Sequence, residues 1–345
     1  MVITHLNFAK GYRGGERQTQ LLIEELALMG FKQKIVVRKK SELITRLANT
    51  RDLEIIEINK PYIFSLGVVR GSSILHAHET KALQFAYFCN LFLKIPYLVT
   101  RRVDNSLKTN FFNTRLYSHA SECIGVSSVI KKEILRVSSN ATTSAIADAY
   151  TNAILNKGKS EKIAHRFKDK FLVGHIGALD DKHKGQSFLI SVAKRVEHSY
   201  PDLHFIFLGR GDDEVMLKEQ AKGVCNITFE GFVDNVNDYI NCFDLFVFPS
   251  RNEGLGSVLL DVMQFNIPIV ASDVGGIPDI IENEFNGVLV PKCNADLLEK
   301  KIIELYEDKN KREYLSLNAK KNIVEFSPKK MALKYVSLYE KYIIV

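Results

Sequence analysis

The chain of 345 residues is notable first for what it lacks. No stretch approaches the roughly 20 consecutive apolar residues that a bilayer-spanning helix needs. The opening Met-Val-Ile-Thr-His-Leu-Asn has no cationic start, apolar run or cleavage site of a secretory signal, and reads instead as a first strand. Five cysteines (Cys89, Cys123, Cys225, Cys242 and Cys293) show no paired spacing. That excludes a disulfide framework or a cysteine zinc site and points to a reducing, cytoplasmic setting. No Asp-x-Asp occurs, so a common short metal-chelating carboxylate pair is missing. The first loop has neither G-x-G-x-x-G nor Gly-Lys-Ser/Thr, which excludes the dinucleotide fingerprint and the P-loop. No internal repeat or low-complexity tract is apparent.

What is present suffices for two globular domains. Hydrophobic residues make up 46% of the chain, ample for buried cores. The net charge of +7 is unevenly spread. Residues 1–165 carry 24 Lys/Arg against 13 Asp/Glu, whereas residues 166–345 carry 23 against 27. This asymmetry implies an anionic partner for the first half, such as nucleic acid, a membrane surface or a phosphorylated acceptor. No nucleic-acid-binding motif accompanies it.

Short apolar runs alternate with amphipathic stretches, the pattern of parallel sheets covered by helices. Strands are expected at Val2–Leu6, Lys34–Val37, Ser73–His76, Tyr97–Thr100 and Cys123–Val126, with helices at Glu16–Met29, Lys81–Leu93 and from Ser128. Residues 151–165 are polar and read as a linker. The order then restarts. Strands are expected at Phe171–Ile176, His204–Gly209, Ile227–Glu230, Leu245–Pro249, Pro268–Ser272 and Gly287–Val290, with helices at Gln186–Ser199, Ser257–Phe265 and Ala295–Glu307. The last segment, Pro328–Ile343, is an amphipathic helix. The expected domains are 1–160 and 166–327.

The most informative stretch is Pro249-Ser250-Arg251-Asn252-Glu253-Gly254-Leu255-Gly256-Ser257, running into Val258-Leu259-Leu260-Asp261. Glycines let a ligand approach the backbone. Ser257 is a candidate cap for the following helix, whose free N–H groups attract phosphate. Glu253 and Asp261 can accept hydrogen bonds from hydroxyls. This combination suits a ligand that is both diphosphate and polyol, though a plain loop and a solvated Asp261 are the simpler alternative. The stretch resembles the signature of family 4 of the retaining glycosyltransferases, in which two glutamates are separated by seven residues. Here the pair is Glu253 and Asp261, one methylene shorter at the second acid.

Other segments extend the resemblance over nearly the whole chain, most densely from 171 to 291. The loop holding Gly14-Gly15-x-Arg17, with Glu16 between them, is similar to the family's donor-phosphate loop. His76-Ala77-His78-Glu79 ends a strand; two histidines two apart share a side, but no third zinc ligand is evident, so His78 is a candidate ligand-facing residue instead. Thr100-Arg101-Arg102 follows a strand where many relatives carry a histidine, and Arg101 or Arg102 would bind a diphosphate or an acidic acceptor. A surface pair bonded to Asp104 is the alternative. Lys184, in Lys182-His183-Lys184-Gly185, matches the family lysine that stabilises the leaving diphosphate. Ala178 stands where the companion arginine is usual, with Arg101 or Arg210 as replacements. Gly209-Arg210-Gly211 resembles a family turn, and Gly231-Phe232-Val233 the segment that approaches the nucleobase.

The resemblance implies the GT-B fold: two Rossmann-like, doubly wound parallel-sheet domains with an interdomain cleft, the last helix crossing back to the first domain. It implies a retaining, metal-independent transferase needing no cofactor, with a nucleotide-sugar (a UDP-sugar by default) as donor. Glu253, Lys184, Arg101 and His78 would be catalytic. Gly14, Gly15, Glu16, Arg210, Phe232, Val233, Gly254, Leu255, Gly256, Ser257 and Asp261 would hold the donor. The basic first half favours a glycan or glycolipid acceptor at the inner, anionic membrane face, as in lipopolysaccharide or surface polysaccharide synthesis. The rival readings are a GT-B epimerase or sugar-phosphate synthase, and a non-catalytic glycan- or nucleic-acid-binding protein.

Overall fold

Buried β-branched and aromatic runs organise the chain into two parallel sheets. The computed structural model describes residues 1–152 and 154–343. Residue 153 of the expected linker and the last two residues of the chain lie outside the described residues. The chain divides into one unit of Met1–Ala149 with Phe326–Val345 and a second of Tyr150–Glu325.

The first unit holds β1 (Val2–Asn7), β2 (Lys32–Arg38), β3 (Leu53–Ile58), β4 (Ile74–Ala77), β5 (Tyr97–Arg101), β6 (Glu122–Gly125) and β7 (Thr143–Ala145) in the order β3-β2-β1-β4-β5-β6-β7. Helices cover both faces, so the central strands are buried on both sides; Ile3, Thr4, His5, Leu6 and Asn7 are all inaccessible. The chain moves outward from β1 to β3 and then returns to place β4 against β1. That reversal makes the carboxyl ends of β1 and β4 a topological switch point, where open α/β sheets leave room for a ligand.

The second unit repeats the plan with β8 (Phe171–Ile176), β9 (Leu203–Leu208), β10 (Ile227–Gly231), β11 (Leu245–Phe248), β12 (Ile269–Ser272) and β13 (Val288–Val290), ordered β10-β9-β8-β11-β12-β13. Its switch point lies between β8 and β11. The core packs Val173, Phe205, Phe207, Leu245 and Val247 against the helices Gln186–Val196 and Ala295–Glu307.

The structure corrects several expectations. Residues 157–166 are a helix, Lys157–Arg166, rather than linker, so the division falls at 149/150. Asn156 caps this helix by accepting from Lys159 N, and Ser160 and Ile163 are buried. The first-domain limit at 160 is therefore too late. β3 and β7 were not anticipated: β3 is an edge strand whose Glu54 and Glu57 break its apolar run, and β7 has three residues. The terminal helix Pro328–Ile343 lies on the first sheet, with Met331, Ala332, Tyr335 and Tyr339 in the same core as Ile3 and Leu22.

Candidate active site

In the second unit, the loop after β8 and the loop after β11 meet at the switch point. The short helix Asp181–Lys184 ends at Gly185, which has φ +65 and lies so close to the Pro249 carbonyl that a Cβ would stand 2.3 Å from it. His183 O accepts hydrogen bonds from Arg251 N (2.8 Å) and Asn252 N (3.3 Å), clamping the two loops together. Arg251 donates to Asp181 Oδ2 at 2.9 Å and stacks on Phe188. Lys184 Nζ thereby reaches the Glu253 carboxylate, with which it forms an ion pair, and lies 5.1 Å from the Phe248 ring centroid.

The Glu253 backbone is fixed from the other side. Gly276 N donates to Glu253 O at 3.2 Å, and a Cβ on Gly275 (φ +56) would lie 1.8 Å from that oxygen. Gly254, Leu255 and Gly256 are buried, so Leu255 serves the core rather than a ligand. Gly256, not Ser257, is the N-cap of the helix Ser257–Met263. Its left-handed φ of +87 needs a glycine, which moves Ser257 to the first helical position and overturns its assignment as cap.

Asp261 is drawn into a structural contact. Its Oδ1 accepts from Thr151 N at 2.7 Å and Thr151 Oγ1 at 2.8 Å, tying the start of the unit to this helix. Gly209 and Gly211 have an internal reason to be glycine, since a Cβ would strike the carbonyls of Gly177 and Leu179. Between them the exposed Arg210 accepts from Leu179 N through its own carbonyl at 3.1 Å, putting it beside the loop of Ala178. Phe232 is exposed and Val233 half-buried just beyond β10.

One group here escaped the sequence reading. His175 is fully buried in β8 and donates from Nδ1 to Val247 O at 3.0 Å. Its Nε2 therefore carries no hydrogen and has no partner. Burial lowers its pKa to about 4. That Nε2 stands 3.5 Å from the Cβ position of Gly177, which is also in contact range of Lys184. A histidine at the end of a central strand was the available signal.

In the first unit, Gly14 and Gly15 begin the helix Gly14–Leu28. Neither has a positive φ. A Cβ on Gly14 would meet nothing within 4 Å, and one on Gly15 only Arg102 Cδ at 3.8 Å. Internal packing thus gives no reason for these glycines, and open space lies beside them. Glu16 is used locally: Oε2 accepts from Arg13 N at 2.9 Å, capping the helix rather than facing a ligand.

The arginine beside this loop is Arg102, and not Arg101. Arg101 donates to Asn105 O and is buried within the unit. Arg102 Nε donates to Asp148 Oδ1 at 3.0 Å, while both terminal nitrogens are buried with no hydrogen-bond partner. Adjacent residues at a strand end project to opposite sides, which accounts for the exchange of roles.

His78 joins a chain of buried imidazoles. Gln33 Nε2 donates to Ile23 O, so Gln33 Oε1 accepts from His5 Nε2 at 3.1 Å. His5 Nδ1 then accepts from His78 Nε2 at 3.0 Å, leaving His78 Nδ1 a bare, unpartnered lone pair. His76 is bonded to Tyr339 OH (2.7 Å) and Thr100 Oγ1 (2.8 Å). His5 is the third histidine that the sequence did not reveal: the three offer nitrogens within 4.8 Å of one another. With His5 and His76 bonded at both ring nitrogens, the arrangement is a hydrogen-bonded chain. Burial, then the neighbouring imidazoles and Arg102, holds His78 well below its usual pKa, so it is neutral.

Residues 156–322 match the family described as Glycosyl transferases group 1. An uncharacterized glycosyltransferase of Methanocaldococcus jannaschii is 26% identical over 72% of this chain and 69% of its own length. The capsular polysaccharide biosynthesis glycosyltransferase CapM of Staphylococcus aureus is 27% identical over 49% of this chain and 46% of its own length. This chain therefore aligns with about half of several curated relatives and about two thirds of another. Among solved structures, Anabaena HepE in complex with UDP-glucose superposes with a TM-score of 0.85 at 18% identity, covering 99% of this chain and 100% of HepE. Sucrose-phosphate synthase from Thermosynechococcus elongatus gives 0.81 at 18% identity, covering 99% and 98%.

The paired Rossmann-like units have the GT-B fold. The family match and the named relatives support a glycosyltransferase.

Proposed function

We propose that this chain is a retaining, metal-independent family 4 glycosyltransferase that moves a sugar from a nucleotide-sugar to a lipid-linked or glycan acceptor. The product would be a bacterial lipopolysaccharide or another surface polysaccharide. The observation that carries the reading is the pairing of Lys184 with Glu253 at the switch point of the second sheet. A cation and an acid held at one strand-end crevice match the needs of a sugar diphosphate: charge for the phosphates and an acceptor for the hydroxyls.

In this reading Glu253 accepts hydrogen bonds from the sugar, and Lys184 offsets charge as the anomeric carbon–phosphate oxygen bond breaks, an electrostatic role fixed in advance. Arg210 supplies the positive charge missing at Ala178. Asp261 takes the ribose hydroxyls, its rotamer held by Thr151. Phe232 and Val233 border the base. The departing phosphate oxygen takes the acceptor hydroxyl's proton while that oxygen bonds the anomeric carbon on the same face, so configuration is kept. In the first unit, His78 Nδ1 accepts from an acceptor hydroxyl, and the open glycines and Arg102 receive an anionic group.

HepE bound to UDP and to UDP-glucose supports a UDP-sugar as donor, and CapM supports a surface polysaccharide as product. No described helix is long and apolar enough to cross a membrane; we assign the chain to the inner membrane face, held there by its basic half. The test is a thermal-shift screen against nucleotide-sugars, followed by transfer from the best donor and NMR of the product anomer. Failure of every nucleotide-sugar to raise the melting temperature sinks the reading. Turnover of the donor without any lipid or glycan acceptor would favour an epimerase or sugar-phosphate synthase instead.

A further inference from the structure

A cavity of about 450 Å³ opens on the first unit between the segment Lys60–Ile63 and the helix Thr80–Leu93. That size is within the range of about 300–1,000 Å³ typical of ligand pockets. Pro61, Tyr62, Ile63, Phe85 and Phe88 give it an apolar lining, and Lys60 and Lys81 supply its charge. No carboxylate lines it. Glu79, which precedes the helix beside Lys81, is bonded to the backbone N–H groups of Phe8, Lys81 and Ala82.

The lining follows from helical spacing. Lys81, Gln84, Phe85, Phe88 and Phe92 fall three or four apart and share one face. The helix already buries another face, with Ala82, Leu83, Ala86 and Cys89 inaccessible. The second stripe is therefore not needed for the core. Its floor is braced, Phe85 meeting Phe8 edge-on at 5.5 Å and Tyr62 packing on Phe8 at 4.4 Å. Its outer end is open: Phe88 stacks with Phe92 at 6.5 Å, and Phe92 is 63% exposed. An apolar stripe of this kind left facing water marks a binding surface. The helix begins two residues after His78, so the lysine end lies next to the strand-end switch point and the apolar stripe runs away from it.

A trough with cations at one end and aromatics along its length fits an elongated amphiphile with an anionic head. We propose that this cavity binds the proximal part of a single-chain lipid phosphate, its phosphate on Lys60 and Lys81 and its hydrocarbon along Ile63, Phe88 and Phe92. This deepens the proposed function, on which it rests, by assigning the acceptor to the prenyl or alkyl phosphate class.

The test is calorimetric titration of the full chain with octyl, decyl and dodecyl phosphate below their micellar concentrations. Alkyl maltosides of equal length and inorganic phosphate serve as controls. Affinity for the phosphates should rise about fourfold for each added methylene that is buried. Phe88→Ser should weaken decyl phosphate at least tenfold. Lys60→Ala combined with Lys81→Ala, both at the surface, should remove the preference over the maltoside while leaving the melting temperature unchanged. Equal binding of phosphate and maltoside by the native chain, affinity independent of chain length, or a lysine double variant that still prefers the phosphate would each overturn the proposal. Nucleotide-sugar thermal shifts on the same samples separate the two claims. A donor shift without alkyl phosphate binding refutes the lipid site alone, whereas no donor shift refutes the glycosyltransferase reading.

Discussion

Lys184 Nζ and the carboxylate of Glu253 form an ion pair across 69 residues of chain, one group from the loop after β8 and the other from the loop after β11. Each is held by backbone contacts rather than by the pair itself, through His183 O on one side and the Gly275–Gly276 turn on the other. The pair is thus positioned before any ligand arrives, the condition for electrostatic stabilisation without reorganisation. Lys184→Ala and Glu253→Gln should each lower transfer by a factor on the order of 10² or more, measured as initial rate with a labelled donor. Native-like turnover in both variants removes the site assignment.

Asp261 carries a structural load that a purely ligand-binding acid would not. Asp261→Ala leaves the buried Thr151 N–H without its acceptor, a loss of about 1–3 kcal/mol, read as a lower urea midpoint. Thr151→Val removes only the hydroxyl bond and should cost less. If Asp261 also holds ribose, Asp261→Asn should weaken donor binding more than Thr151→Val does in calorimetry. Equal effects of the two variants on donor affinity leave Asp261 with the structural task only.

The glycines divide by physical cause. Gly275→Ala puts a methyl 1.8 Å from Glu253 O at a left-handed φ, so it should both lower the melting temperature and displace Glu253. Gly14→Ala meets open space at an ordinary φ; its stability should change by no more than about 0.5 kcal/mol, while transfer falls. A Gly14→Ala enzyme as active as the native chain would deny that loop any ligand contact.

Four buried histidines set a pH response. Burial lowers His5 and His175 to about 4, and holds His76 and His78 well below 6.5. Between these values and 6.5 the unfolded chain binds protons that the native chain does not, so native stability declines as the pH falls. The contribution is fully present above about 6.5 and shrinks towards 4, by up to about 1.4 kcal/mol per pH unit for each histidine. Urea midpoints should drop between pH 7 and 5, less steeply in His175→Gln. A flat profile over that interval contradicts the neutral, buried assignment.

Chelation tests the metal-independent reading. EDTA should leave transfer unchanged, because Lys184 supplies the charge at the leaving group. Activity lost to EDTA and restored by Mn²⁺ would overturn it. The His5, His76 and His78 group makes zinc the other ion to assay, with metal content and activity measured on the same sample.

Much of the architecture was legible in the sequence because central parallel strands, buried on both faces, leave unbroken apolar runs such as Phe171–Ile176. Edge and short elements were not, since β3 mixes glutamates into its run and β7 is too brief to show a period. The helix Lys157–Arg166 was hidden by its polar composition; only Ser160 and Ile163 of its length are buried. In the site, Glu253 and Lys184 could be singled out by their glycine-rich settings. Arg101 could not be told from Arg102, nor His175 noticed, because which way a strand-end side chain turns depends on packing.

The residues alone determined that two doubly wound sheets would form and that acids, glycines and a lysine would fall in loops after their strands, because apolar periodicity and turn chemistry are local properties. Only tertiary structure decided which of those side chains meet. It gave Arg102 to Asp148, Asp261 to Thr151 and His78 to His5, and it pointed lone pairs of His78 and His175 away from protein partners. Such pairings depend on strand order and register, which bring residues separated by tens of positions to the same switch point, and no local pattern encodes that reversal.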